Sequence, residues 1–157
     1  MENLPLRTGV RPTTTPSNPH MQLNQQPTDM KHIEELQNWA FSLPHINKEN
    51  SRISVPGAQA MCLAYDNTCK ECNAFMIGTE FAHFHPHPDY SLHLGLTLND
   101  TQTVIDKGWG ELHPVVHKGW LPANFIMLYA ARNEEEVTIS KLIIQQSYDF
   151  AAGKISD

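Results

Sequence analysis

Apolar residues recur with a helical period in two parts of the chain and alternate with polar ones in short runs between. Met30, Ile33, Leu36, Trp39 and Ala40 share one helical face, with Thr28 or Asp29 as the cap and Pro44 as the stop. Further on, Val137, Ile139, Leu142, Ile143 and Tyr148 repeat in the same way. Asn133 caps that helix, and Glu134, Glu135 and Glu136 in its first turn complement the helix dipole. Strand-length segments lie between: Ile53 and Val55 before a Pro56-Gly57 turn, Ala60 to Tyr65, Ala74 to Ile77 ended by Gly78, and Asn124 to Ala130. A short helix capped by Asn99 or Asp100 is predicted through Lys107, with Val104 and Ile105 inward and Gly108 closing it. The pattern predicts a single α+β domain, a largely antiparallel sheet with helices packed on one face.

Residues 1–27 follow neither period. They hold five of the eleven prolines, with Leu4, Leu6, Val10, Met21 and Leu23 spaced as anchors. They read as an extended proline-rich arm packed on the domain formed by residues 28–157. A net charge of −6 with 18% charged residues suits a globular protein and argues against nucleic-acid binding, as does the lack of any Lys/Arg stripe. No run is long and apolar enough for a membrane span, and the first residues carry no basic or apolar leader, so a cytoplasmic location is expected. Cys62, Cys69 and Cys72 are an odd number and are expected to be reduced. Cys69 and Cys72 have C-x-x-C spacing, but they sit in a polar loop without a second ligand pair, with oxidation to a chance disulfide as the practical risk.

Chemistry concentrates in a predicted hairpin. Glu80 to His85 and Ser91 to Leu94 flank the turn Pro86 to Tyr90. Antiparallel pairing would set His85 opposite Ser91 and His83 opposite His93, all on one face. Three imidazoles at this spacing can form a facial nitrogen site for a divalent transition metal, zinc, iron, manganese or copper, with positions left open. Glu80 is then an added ligand or a base, and His113 a further ligand or an orienting group. Two other readings stay open. Histidines on adjacent strands can work without metal as general acid and base, with Ser91 as a donor. They can also be structural or pH-sensing groups of a non-catalytic binding module. Glu111 and Asp89 are the acidic residues nearest the cluster, Trp109 and Trp120 could wall a pocket for a small-molecule ligand, and His87 and His117 read as surface residues. A glutamate three or four residues after H-x-H, which a double-stranded β-helix metal site would need, is missing: Pro88 and Asp89 stand there.

Several stretches in order, Arg11 to His20, Ile53 to Ala58, Gly78 to Pro86, Ser91 to His93, Lys107 to Pro114 and Tyr129 to Arg132, resemble the luciferase-domain family, small bacterial and fungal proteins largely without assigned function. The resemblance covers nearly the whole chain, the arm included. It implies that His83, His85, Ser91, His93, Trp109, Glu111 and His113 stand at the family's motif positions, while His87, His117 and the cysteines are particular to this chain. The family commonly has glycine where Tyr90 stands. The resemblance brings no catalytic residue or cofactor with it. It points to the hairpin and the Trp109 to Pro114 loop as the place of chemistry. The leading expectation, read from the hairpin residues themselves, is a metal-assisted enzyme with His83, His85 and His93 as ligands, Glu80 or Glu111 moving protons, and Trp109 as a wall.

Overall fold

The computed structural model describes residue 1 and residues 3–157. Its elements run α1 (Lys31–Phe41), β1 (Ile46–Asn50), β2 (Gln59–Leu63), β3 (Glu80–Phe84), β4 (Leu92–Gly95), α2 (Leu98–Asp106), β5 (Gly110–Leu112), β6 (Phe125–Leu128) and α3 (Glu134–Ala151). The six strands form one antiparallel sheet in the order β1-β2-β3-β4-β6-β5. This is the α+β fold that the apolar pattern predicts.

Strand alternation divides the sheet into two unlike faces. Met61, Leu63, Ala82, Phe84, Leu92, Leu94, Ile126 and Leu128 join the core with Leu36 and Ala40 of α1, Val104 of α2, and Val137, Ile143 and Tyr148 of α3. The opposite face carries a cross-strand row, Ala60–His83–His93–Met127–Glu111, set by the register of five strands. An irregularity sharpens the contrast. Met61 pairs with Ala82 but Cys62 pairs with Glu80, so Phe81 is an extra residue in β3. Such a bulge lets Phe81 enter the core while turning Glu80 onto the histidine face, where strict alternation would not put it.

Helix boundaries follow local chemistry. Asp29 accepts from the amide of Lys31, Thr97 rather than Asn99 or Asp100 caps α2, and Asn133 caps α3 by accepting from Glu136. Leu142, expected inward, is exposed on α3. Two strand expectations are corrected. Residues 51–57 form bends, with Ile53 exposed, and the edge strand is the polar β1. Its mostly exposed sequence shows no alternation, because an edge strand needs only one neighbour's backbone. Residues 74–77 form only a bridge from Ile77 to Glu80. The segment after Gly108 is also a strand, β5, held by β6. Cys69 and Cys72 are joined as a disulfide, which corrects the expectation of reduced thiols; Cys62 is free and buried. Among the described residues, no helix is long and apolar enough to cross a membrane.

The arm lies against the β5–β6 side of the sheet. Leu4 enters the core and Pro5 O accepts from Trp109 Nε1 at 2.7 Å. Arg7 reaches Glu136, Arg11 Nη1 donates to Gly110 O at 2.8 Å, and Gln22 Oε1 accepts from the amide of Ala130 at 2.9 Å. Thr13 to Leu23 double back on themselves through Thr15 N to Met21 O and Leu23 N to Thr13 O. His20, on the returning limb, is thereby buried over the histidine face.

Candidate functional site

The hairpin forms in the expected register. His83 and His93 are partners, and the amide of His85 donates to Ser91 O at 2.8 Å. The turn closes with Asp89 N and Tyr90 N both donating to Pro86 O. Tyr90 takes φ 60, a left-handed conformation that glycine enters at no steric cost. Asp89 is fully buried and serves two masters. Its Oδ1 accepts from the amide of Ser91, and its Oδ2 accepts from His85 Nδ1.

Every histidine of the cluster has one nitrogen assigned by a neighbour. His83 Nδ1 meets Glu80 Oε1 at 2.8 Å, and Ser51 Oγ donates to the same oxygen at 2.7 Å. His83 Nε2 faces His93 Nδ1 at 3.1 Å, and His93 Nε2 faces His20 Nδ1 at 3.1 Å. His20 Nε2 reaches Glu111 Oε1 at 2.8 Å. Thr14 Oγ1 also donates to that oxygen, at 2.6 Å, and the Tyr129 hydroxyl donates to Oε2 at 2.8 Å. A continuous row results: Glu80, His83, His93, His20, Glu111. His113 stands beside it, 4.5 Å from His93 between ring centroids, and its Nδ1 accepts from the amide of Val115 as cap of the 3₁₀ turn Pro114–Lys118.

Burial sets the protonation of these groups. It pushes the His83 imidazole below its usual pKa, although Glu80 pulls the other way. His93 is lowered well below that value by burial and then by its four histidine neighbours. His113 falls to about 4, again from burial first and then from the other imidazoles. These three rings are neutral at pH 7, the form that binds metal. Burial raises the carboxyls of Asp89 and Glu111, but the donors around them outweigh it and both end below the usual value. Tyr129 is pushed up to about 12 by burial and by Glu111.

His20, His83, His85, His93 and His113 line a cavity of about 430 Å³. Its other wall is apolar: Ile53, Val55, Met76, Val115, Trp120 and Leu121, with Asn18 and Pro19 from the arm. Two groups of three imidazoles are positioned to hold a metal ion, His83–His85–His93 and His20–His93–His113, sharing His93. Hydrogen bonds distinguish them. Glu80 and Asp89 hold protons on Nδ1 of His83 and His85 and free each Nε2 as a lone pair. His113 accepts at Nδ1, so its proton is on Nε2 and that edge is a donor.

The structure therefore brings His83, His85, His93 and His113 together in one pocket. Glu80 and Glu111 lie behind imidazoles rather than in the cavity, and Ser91 Oγ lies 3.5 Å from a His85 nitrogen that Asp89 already engages. Trp109 is elsewhere, in the core with its indole on the arm, so the wall expected of it is supplied by Trp120. His87 and His117 are exposed. Sequence reasoning missed His20 as a site residue. Its one signal was its place at the end of the Arg11 to His20 stretch, which resembles the family although no periodic element contains it.

Residues 78–147 match the model of the Luciferase domain, a span that holds the hairpin, Glu111 and His113 but not His20. The chain is 30% identical to a luciferase of Armillaria mellea over 171 residues, covering 96% of this chain and 62% of that protein. A luciferase of Armillaria gallica is 29% identical over the same extent. A luciferase of Neonothopanus nambi is 40% identical over 82 residues, 48% of this chain and 31% of its own length. The chain thus spans about 62% of the length of the Armillaria proteins it matches. No solved structure matches it significantly.

Proposed function

We propose, for a chain that belongs to the luciferase-domain family, that the histidine pocket is the active site of an enzyme acting on a small organic molecule with one divalent transition metal. His83 Nε2, His85 Nε2 and His93 Nδ1 are the ligands of this reading. The observation that carries it is the backing of each ring: Glu80 behind His83, Asp89 behind His85 and His20 behind His93. Imidazoles that bind metals are held in this way, which fixes the tautomer and raises the donor strength of the free nitrogen. An all-nitrogen set without thiolate suits zinc, copper or iron, and three ligands leave positions open toward the cavity.

The metal would supply Lewis acidity and open positions for substrate or dioxygen. The chain's own groups bind and orient. The apolar wall of Ile53, Val55, Met76 and Leu121 covers one side of the ligand, and the neutral His113 offers its Nε2–H to an oxygen of it. An open three-nitrogen site supports either hydrolysis or oxidation by dioxygen. The name luciferase, carried by the relatives, favours oxidation here, because hydrolysis of a small molecule releases too little free energy to emit visible light.

Elemental analysis of the untagged protein beside the His83→Ala/His93→Ala double variant tests the reading. One equivalent of a transition metal is expected in the wild type, lost in the variant while circular dichroism stays native. No metal after reconstitution with zinc, iron, copper or manganese would overturn it and leave the hydrogen-bonded row as a metal-free acid–base pair of His83 and His93.

A further inference from the structure

We infer that His20, carried into the site by the arm, is a positioning residue for the metal ion: it keeps the proton of His93 on Nε2, and Glu111 anchors it in that role. The inference rests on the metal reading above and adds the part of the site that lies outside the hairpin and outside the matched span.

It follows from counting protons. Four contacts join Glu80, His83, His93, His20 and Glu111. Carboxylates only accept, so His83 gives its single proton to Glu80 and His20 gives its own to Glu111. This leaves a lone pair on His83 Nε2 and another on His20 Nδ1, both aimed at His93. A neutral His93 has one proton and satisfies one of them. On the other side two lone pairs face each other at 3.1 Å, which calls for positive charge there, either a metal ion beside them or a second proton on His93.

The two sides are not equal. On the His83 side, His85 adds a third lone pair, since Asp89 holds its proton on Nδ1. On the His20 side, the third ring is His113, which presents a proton. A cation therefore belongs with His83, His85 and Nδ1 of His93. The His93 proton then sits on Nε2 and is donated to His20, whose acceptor nitrogen is held in place by Glu111 across 91 residues of sequence. With the ion bound, every imidazole is neutral and every N–H in the row meets an acceptor. The anchor is shared by Thr14, also on the arm, and by Tyr129. Glu111 in this role never touches the ion, yet its removal must weaken it.

Zinc affinity, measured by competition with a chromophoric chelator on the full chain, tests this. His20→Ala is expected to lose roughly 10- to 100-fold, the usual effect of removing a ligand's hydrogen-bond partner. Glu111→Gln is expected to lose a comparable factor, and the double variant little more, because both act through one His93 proton. His20→Gln, whose amide oxygen can still accept from His93, should recover part of the loss. Thr14→Val with Tyr129→Phe provides the contrast. It removes the other two hydrogen bonds of Glu111 and should lower Tm while leaving zinc affinity within a few-fold. Unchanged affinity in His20→Ala overturns the inference. So does a zinc loss in Thr14→Val/Tyr129→Phe as large as in His20→Ala, since the effect would then be arm docking. A wild type that binds no zinc, iron, copper or manganese overturns the metal reading and this inference together.

Discussion

The hairpin and the arm contribute to the same pocket by opposite means. In the hairpin, two of the three imidazoles are set by a carboxylate close in sequence: Glu80 three residues before His83, Asp89 four residues after His85. On the arm, His20 meets His93 across 73 residues and Glu111 across 91. These hairpin carboxylate contacts are local, although the bulge against β2 is what turns Glu80 toward His83. The arm's contacts exist only after the sheet has brought β5 beside β6 and the chain has wrapped back over it. The lesson is a division of labour. Two of the rings that would hold an ion are oriented by neighbours in sequence, and the third, His93, is oriented by a residue that only tertiary structure brings to it.

The sharpest way to break that comparison is to damage the hairpin at its most connected point. Asp89→Ala removes both the acceptor of the Ser91 amide and the partner of His85 from a fully buried position. Leaving these donors unmatched costs about 1–3 kcal/mol each. The variant should therefore lose Tm strongly and lose zinc affinity as well, two effects that the arm variant His20→Ala should separate. Thermal melting and chelator competition on the same samples check this. A variant that loses zinc with an unchanged Tm would mean the hairpin is held by its strands alone.

Legibility follows the same division. The hairpin register, the His83–His93 pairing and the facing of Ser91 toward His85 could be read from two alternating runs around a Pro-rich turn, because period and turn are local properties. The same alternation misplaces Glu80, since nothing in Glu80-Phe81-Ala82 announces a bulge; the large apolar Phe81 is drawn into the core and the carboxylate is turned over as a result. β1 was invisible because its polar residues face water, and β5 because three residues between the Gly108 turn and Pro114 carry no period. His20 had no element to belong to. A histidine between prolines in an irregular segment looks like surface, and only long-range packing makes it otherwise.

Acid should separate the two regions by where each loses stability. In protein stripped of metal, His83, His93 and His113 have pKa values below the ordinary one, His113 at about 4. The unfolded chain takes up these protons as pH falls through about 6.5, and the folded one does so only lower. Stability is thus undiminished above pH 6.5 and falls between there and pH 4. Glu111 and Asp89, lowered acids, act in a more acidic window, adding stability above the ordinary carboxyl range and losing it as pH falls through their folded values. Tm measured from pH 7 to 4 should decline, and His113→Asn, which can still cap the turn at Val115, should flatten part of the decline. An identical slope in that variant would mean His113 takes its proton in the folded state as readily as in the unfolded one.

The smallest effect is expected farthest from both sets of contacts, on the rim. Trp120 is exposed, yet it lines the same cavity as the imidazoles, with Lys118 Nζ 4.9 Å from its ring centroid. Exposed aromatic rings cost little to remove, so Trp120→Ala should leave Tm nearly unchanged, within about 0.5 kcal/mol of stability. It should also leave zinc affinity unchanged, because its ring takes no part in the hydrogen bonds that set the imidazoles. What it should change is the capture of a flat apolar ligand, whose far face it would cover once the near face meets the histidines. Titration of an aromatic probe such as 4-phenylimidazole into zinc-loaded protein, followed by tryptophan fluorescence and by calorimetry, should show several-fold weaker binding in the variant. If the probe binds equally well to both, the ring lies outside the ligand's reach and the apolar wall is only the part formed by Ile53, Val55, Met76 and Leu121. If zinc affinity falls with it, the rim is coupled to the metal site through Val115 and His113, and the separation between hairpin and surroundings is narrower than the hydrogen bonds imply.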